Sequence, residues 1–259
     1  MTHKAHAKVN IFLKIVGTRG DYHEINSRFM LVKNLFDTLS FEPKQSDEPF
    51  ELVGDFNCGL NDNTIYKMYL ALQNSGYAKQ VDAVMAKYAL HVKKKIPTGA
   101  GLGGGSSDSA TFLKMMNQEA KLGLSLQKML EIGTTVGADV AFFICGYHSA
   151  NVSGIGEKVE EWDEKWLDIE VFTPDIACNT GLVYRTFRES FLQETIRDNV
   201  LKMSFMRSEE VLKQFPKDEL NDLYLASLKA YPELSLHVKD GWFFSGSGSS
   251  FFRIKDEVS

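Results

Sequence analysis

The sequence predicts a fold that mixes β-strands with α-helices, on three observations. Its first segment alternates, with Val9, Ile11, Leu13 and Ile15 on one face and Lys8, Asn10, Phe12 and Lys14 on the other. That period of two marks a half-buried strand. Farther along, Ile65, Met68, Tyr69 and Leu72 recur at helical spacing. Between a cationic strand and a second helical pattern stands "IPTGAGLGGGSSDSA", Ile96 to Ala110, which holds five glycines.

Taken in order, "TRGDYHE" reads as a turn and "RFMLVKNLFDTLSFEP" as further strand. "NTIYKMYLALQNSG" reads as a helix with Gly76 just past its end. "YALHVKKKI" alternates until Pro97 stops it. Ser109, Phe112, Leu113 and Met116 then follow helical spacing to near Gly123. Ser125 is placed to cap a further helix through Leu126, Met129, Leu130 and Gly133, closed near Gly137. "VAFFICG" is wholly apolar, as a buried strand is. "LNDLYLASLKAY" puts Leu220, Leu223, Tyr224 and Leu228 on one helical face, and "GWFFSGSGSSFFRI" reads as two aromatic strands around a Ser/Gly loop. No internal repeat or low-complexity linker interrupts the chain. Charge becomes denser from about Asn151, so the expected division is a domain at 1–150 and a second at 151–259.

Composition narrows the function. The 259 residues are 44% hydrophobic and 24% charged, ordinary for a globular protein. A net charge of -5 argues against a protein that coats a polyanion. No apolar run approaches the roughly 18 residues of a membrane span. "MTHKAHAKVNIFLKIVG" lacks a small-residue cleavage site, so no signal peptide is expected. Cys58, Cys145 and Cys178 are scattered and without CxxC spacing, which points to a reducing cytoplasm. No His/Cys/carboxylate cluster has metal-ligand spacing.

The glycine stretch carries the chemistry. Gly99, Gly101 and Gly104 satisfy GxGxxG, but a dinucleotide fold needs a buried apolar strand before the turn, and "HVKKKIP" is cationic. A P-loop needs lysine where Gly105 stands, and the VAIK, HRD and DFG set of protein kinases is missing. The physics still favours phosphate. Glycines let backbone N–H groups crowd a ligand and permit positive φ. A helix beginning near Ser106 aims its free N–H groups and positive end at the same place. Ser106 and Ser107 add hydroxyls, and Lys93 to Lys95 add charge nearby.

"PTGAGLGGGSSDSA" resembles the phosphate-binding motif of the GHMP kinases, the superfamily of galactokinase, homoserine kinase and mevalonate kinase. LGGGSSD is most similar to the branch whose substrate is a cytidine diphosphate-linked methylerythritol. "AKVNIFLKIVGTRGDYHEI", "VGADVAFFICG", "NDLYLASLKAYPEL" and "FSGSGSSFF" resemble that branch's other motifs, in order from residue 7 to residue 252. Two departures are visible: Gly20-Asp21 reverses the usual Asp-Gly, and Ala141 stands where the pattern has proline.

The resemblance implies a two-domain α+β fold with ATP and substrate in the cleft between domains. It implies that Pro97, Thr98, Gly99, Ala100, Gly101, Leu102, Gly103, Gly104, Gly105, Ser106 and Ser107 hold ATP, with Mg²⁺ arriving on the nucleotide. Lys8 and Asp139 would serve the reacting hydroxyl, and Asn10 would position substrate. Tyr22, His23 and Tyr184 would form the cytidine pocket. Gly246, Ser247 and Gly248, with Ser249, would make a second anion- or hydroxyl-binding loop near the methylerythritol end. Phosphoryl transfer needs this kind of site, with charge neutralised and a hydroxyl aligned. Each residue alone has a plainer reading: Lys8 and Asn10 as a solvated strand face, Asp139 as a cap, Tyr184 as a core aromatic. A different GHMP kinase, or a non-catalytic nucleotide- or RNA-binding module, are the competing functions. The acidic balance and the lack of interleaved Arg and aromatic residues weigh against RNA, and no membrane partner is expected.

Overall fold

The computed structural model describes residues 1–192 and 199–255. It divides into two compact units, and the chain passes between them repeatedly. Unit 1 is Met1–Ala7, Asn34–Ile96 and Gly104–Gly146; unit 2 is Lys8–Lys33, Pro97–Gly103 and Tyr147–Ser259. The last passage, after Gly146, falls four residues from the boundary read near residue 150; the earlier ones leave no mark in composition.

Two long strands, β1 (Thr2–Arg19) and β2 (Tyr22–Pro43), run through both units. They pair with each other, and the turn between them uses Gly20 at φ +59°. In unit 1 the second half of β2 pairs antiparallel with β4 (Tyr88–Lys93), Thr38 opposite Lys93, and β3 (Leu52–Gly54) lies parallel to β4. Helices α1 (Thr64–Leu72), α2 (Ala78–Met85), α3 (Gly104–Glu119), α4 (Leu126–Thr134) and α5 (Val140–Cys145) complete the unit. The helical spacing is confirmed in α1 and α3. Ile65, Met68, Tyr69 and Leu72 are all buried, as are Ser109, Phe112, Leu113 and Met116. Ser125 caps α4 by accepting the Lys128 N–H.

The sequence reading needs correction at two elements. "VAFFICG" is helix α5, not a strand. Its residues Val140 to Ile144 are buried on every side against α3 and α4, so no polar face reveals the helical period. Apolar runs of this length fit either state. Gly76 lies just past the first helix, as read, at φ +93° in the turn, Gln73–Tyr77, that joins α1 to α2. The helix expected over 220–231 is broken. Short α9 (Lys217–Leu220) stops at Asn221, whose extended backbone separates it from α10 (Tyr224–Ala230).

Unit 2 contains the first half of β2 paired antiparallel with β5 (Ser149–Gly154), then β6 (Lys158–Glu161). A second sheet has the order β7 (Ile169–Phe172), β9 (Phe251–Ile254), β8 (Phe243–Phe244), so the two aromatic strands pair as the sequence indicates. Helix α6 (Thr180–Ser190), capped by Asn179, packs with α10. Leu13, Ile15, Val183, Phe187 and Leu223 form one apolar cluster there. Helices α7 (Val200–Phe205) and α8 (Ser208–Gln214) are tied to the sheet by charge.

That tie is Arg28, fully buried on β2. It donates to Asn151 Oδ1 at 2.6 Å, Ser204 O at 2.8 Å and Met206 O at 3.1 Å, stacks on Trp162, and lies 3.6 Å from Glu164. Burial pushes the guanidinium down to about 10 against the pull of Glu164. Glu164 itself accepts from Ser149 and from the Ser208 N–H and hydroxyl. Arg28→Met should cost about 3–5 kcal/mol, because it leaves the buried Glu164 carboxylate without its cation and takes the Arg28 donors from Asn151 Oδ1 and the Met206 carbonyl. Urea unfolding of the variant would measure it, and a loss below about 1 kcal/mol would mean that the cluster relaxes without the cation.

Candidate active site

The glycine stretch adopts the backbone its composition implies. Gly99, Gly101 and Gly103 take φ of +66°, +72° and +70°, a region that L-residues with a Cβ avoid. Helix α3 begins at Gly104, two residues earlier than read, so Gly104, Gly105, Ser106 and Ser107 form its first turn. A helix start of this kind presents free N–H groups and the positive dipole end to an anion. Pro97, Thr98 and Gly99 are exposed, whereas Ala100, Leu102 and Ser107 are buried anchors. Leu102 O accepts from Lys8 N at 2.9 Å, Gly99 O from Cys178 N at 2.9 Å, and Ala100 O from Ser250 N at 3.1 Å.

Gly101 has no room for a side chain. A Cβ there would lie 2.2 Å from Ser245 O and 3.0 Å from Gly248 N. The C-terminal loop of Gly246, Ser247 and Gly248 therefore rests on the first loop, backbone on backbone. Ser245 Oγ adds a donor to Gly101 O at 3.1 Å.

Lys8 and Asn10 are buried, which corrects the half-buried strand of the sequence reading and its solvated polar face. Lys8 is 4% exposed and Asn10 1%. The Lys8 ammonium donates to Asn10 Oδ1 at 2.7 Å and lies 4.5 Å from the centre of the Phe29 ring. Asn10 Nδ2 donates to Ser27 Oγ at 3.0 Å. One strand thus carries a buried ammonium and a buried amide that bond to each other.

Asp139 is half-buried immediately before α5 and does not cap that helix with its side chain. It belongs to unit 1, as do Ser106 and Ser107, while Lys8 and Asn10 belong to unit 2.

His23 and Tyr184 are brought together, their ring centroids 5.1 Å apart, with Phe187 edge-on to His23 at 6.0 Å. His23 Nε2 is buried and has no hydrogen-bond partner. Burial lowers the His23 pKa, and Arg188 lowers it further, so the ring is neutral and can read a polar edge. Tyr22 alternates to the opposite side of β2 and is 66% exposed, so it does not join that pair.

One cluster was missed by the sequence reading. Lys94, counted there as free positive charge, donates to Asp37 and to Asp108, the latter at 2.6 Å. Asp37 also accepts the N–H groups of Lys95 and Ile96. The stretch before the glycine loop is thus tied through Lys94 to the helix that follows it. No local pattern signals this, because the three residues lie on different elements. Burial pushes the Asp108 carboxyl up to about 7, opposed by Lys94 and reinforced by Asp37. Lys94 loses charge preference by burial but gains more from the two carboxylates, and its pKa rises.

Residues 63–147 match the family model of the GHMP kinases N terminal domain. That match and the full-length relatives place the chain among the GHMP kinases. A 4-diphosphocytidyl-2-C-methyl-D-erythritol kinase of Sulfurimonas denitrificans is 54% identical over 258 residues, 98% of this chain and 97% of that one. A protein of the same name from a Sulfurovum species is 44% identical over 253 residues, 97% of this chain and 98% of that one. A crystal structure of 4-(cytidine 5'-diphospho)-2C-methyl-D-erythritol kinase superposes with a TM-score of 0.71 at 29% identity, covering 99% of this chain and 90% of that chain. The chain belongs to the 4-diphosphocytidyl-2-C-methyl-D-erythritol kinase family.

Two predictions follow from the geometry. The Asp108 pKa is raised above the ordinary aspartate value near 4, so its folded state holds a proton the unfolded chain has lost, and stability falls as pH rises from about 4 to about 7. Asp108→Asn leaves Lys94 paired with Asp37 alone and should flatten that fall. Melting temperatures of both proteins across the window would show it, and parallel curves would refute the assignment. Gly101→Ala should weaken binding of a nonhydrolysable ATP analogue by at least about 10-fold, since the added Cβ must displace the Ser245 carbonyl; calorimetry showing unchanged affinity would remove Gly101 from the nucleotide loop.

Proposed function

We propose that this chain transfers the γ-phosphoryl group of ATP to the 2-hydroxyl of 4-diphosphocytidyl-2-C-methyl-D-erythritol, a step of isoprenoid precursor biosynthesis by the non-mevalonate pathway. The observation that carries it is the near full-length relationship to kinases of that name. The positive-φ glycine loop running into α3 supports ATP as donor, with Pro97 to Ser107 around its phosphates. Mg²⁺ is proposed to arrive on the nucleotide itself. Bound there, it would neutralise phosphate charge.

Asp139 is proposed as the base that orients and deprotonates the hydroxyl, and Lys8 as the charge that stabilises the developing phosphoryl transition state. Asn10 holds the Lys8 ammonium and is proposed to position substrate through its amide. Tyr184 and His23 are proposed to take the cytosine, with the unpartnered His23 Nε2 reading its edge; Tyr22 would flank the pocket from the surface. Gly246, Ser247 and Gly248 are proposed as a second ligand loop, supported by their packing on Gly101. Cysteine usage supports a cytoplasmic location, and among the described residues no helix is long and apolar enough to cross a membrane.

ADP release with Mg·ATP should be strong with the cytidine-linked methylerythritol and negligible with homoserine, mevalonate or the uridine form of the substrate. Asp139→Asn should lower kcat by about 10²–10⁴-fold with nucleotide affinity nearly unchanged. Equal use of cytidine and uridine forms would overturn the base pocket, and a near wild-type rate for folded Asp139→Asn would remove Asp139 from the mechanism.

A further inference from the structure

Asn221 lies in the "NDL" stretch between α9 and α10, a segment to which the proposed mechanism gives no task. It is 2% exposed, and its amide is fully used. Nδ2 donates to Gly246 O at 2.9 Å and Phe244 O at 3.2 Å, while Oδ1 accepts from Leu223 N at 2.9 Å. One donor thus ends on the last residue of β8 and the other on the first residue of the second glycine loop. A Cβ at Gly246 would lie 3.0 Å from Gly101 O and 3.3 Å from Asn10 Oδ1. Asn10 Oδ1 is the atom that receives the Lys8 ammonium.

The next residue fixes the other side. Asp222 accepts from Ile15 N at 2.7 Å and pairs with Lys14, and its own N–H donates to Leu13 O at 3.0 Å. Asn221 itself bridges to Leu13 in parallel fashion. The Asn–Asp pair therefore grips β1 with one carboxylate and the loop with one amide. The spacing between the strand that carries Lys8 and Asn10 and the segment bonded to it through Ser245 is set at this point.

We infer that Asn221 is a positioning residue for phosphoryl transfer: it holds the Gly246 backbone against Asn10 and so fixes the Lys8 ammonium. The inference rests on the kinase reading above. A neutral amide is needed, because only it gives two donors to two carbonyls without adding a charge. Misplacement by about 1 Å can cost on the order of 10²-fold in rate.

Asn221→Asp keeps the shape and turns the donors into acceptors facing two carbonyls; Asn221→Ser is uncharged but too short to reach both. Either should lower kcat by about 10–100-fold while KM for ATP and for the cytidine substrate stay within about threefold. In a Lys8→Met background the same change should shrink to about threefold or less, because its route to the reaction has been removed. An equal fold-loss in both backgrounds, or a loss fully accounted for by a smaller folded fraction, would mean a merely structural residue and overturn the inference. Hydrogen exchange supplies a readout independent of substrate. The amides of Ser245 and Gly248, bonded to Ser250 O and Ser245 O in the native loop, should lose protection in either variant while those of β5 keep it. Unchanged protection at Ser245 and Gly248 would also overturn it. Wild-type enzyme inactive on the cytidine substrate would instead overturn the kinase reading, and the exchange result alone would then decide the role of Asn221.

Discussion

The constraint on which unit 2 depends is a place where no side chain fits. Gly101 and the Ser245–Gly248 segment meet backbone to backbone, closer than any Cβ allows. Two polar loops packed this way must exchange hydrogen bonds, since buried N–H and C=O groups left unpaired are costly. They do so through Ser245 Oγ to Gly101 O and Ser250 N to Ala100 O. Serine is the economical partner: its short side chain donates without holding the two backbones apart. The Ser/Gly composition of both loops is one requirement met twice.

Charge is buried in this protein at several points, and each time it joins segments far apart in sequence. Arg28 joins β2 to α7 and α8, Lys94 joins β2 to the start of α3, and Asp222 joins β1 to the segment before α10. Replacing such pairs by apolar residues is often neutral or better for stability. Their shared geometry indicates registration: a salt bridge with two or three fixed hydrogen bonds specifies where a strand meets a loop more sharply than apolar contact does. The segments so registered carry Lys8, Asn10 and the glycine loops.

The glycine loop was the most legible feature, because positive φ and a helix start leave a compositional trace. Strand β1 was legible as a strand but not in its burial. Lys8, Asn10 and Lys14 look solvated until their partners are known, and Phe29, Ser27, Ser245 and Asp222 lie elsewhere in the sequence. Helix α5 was misread because burial on all sides erases periodicity. The His23–Tyr184 pair came from resemblance alone; nothing in either local sequence says the rings meet. Asn221 was counted within a helix, where its capping preference and extended backbone are the signal that the helix breaks.

The interleaving of the two units bears on how the chain is made. Residues 8–33 of unit 2 are made well before their partners in β5, at Asn221–Asp222 and beside Ser245. Unit 1 also waits, because its first strand segment and its helices are separated by the 8–33 excursion. Non-local pairing of this kind slows folding and leaves strand edges open in the meantime. The polar residues of β1, which end up buried around Lys8, keep that waiting strand from being a continuous apolar ribbon. Lysines and an asparagine spaced along a strand in this way work against sticking between nascent chains.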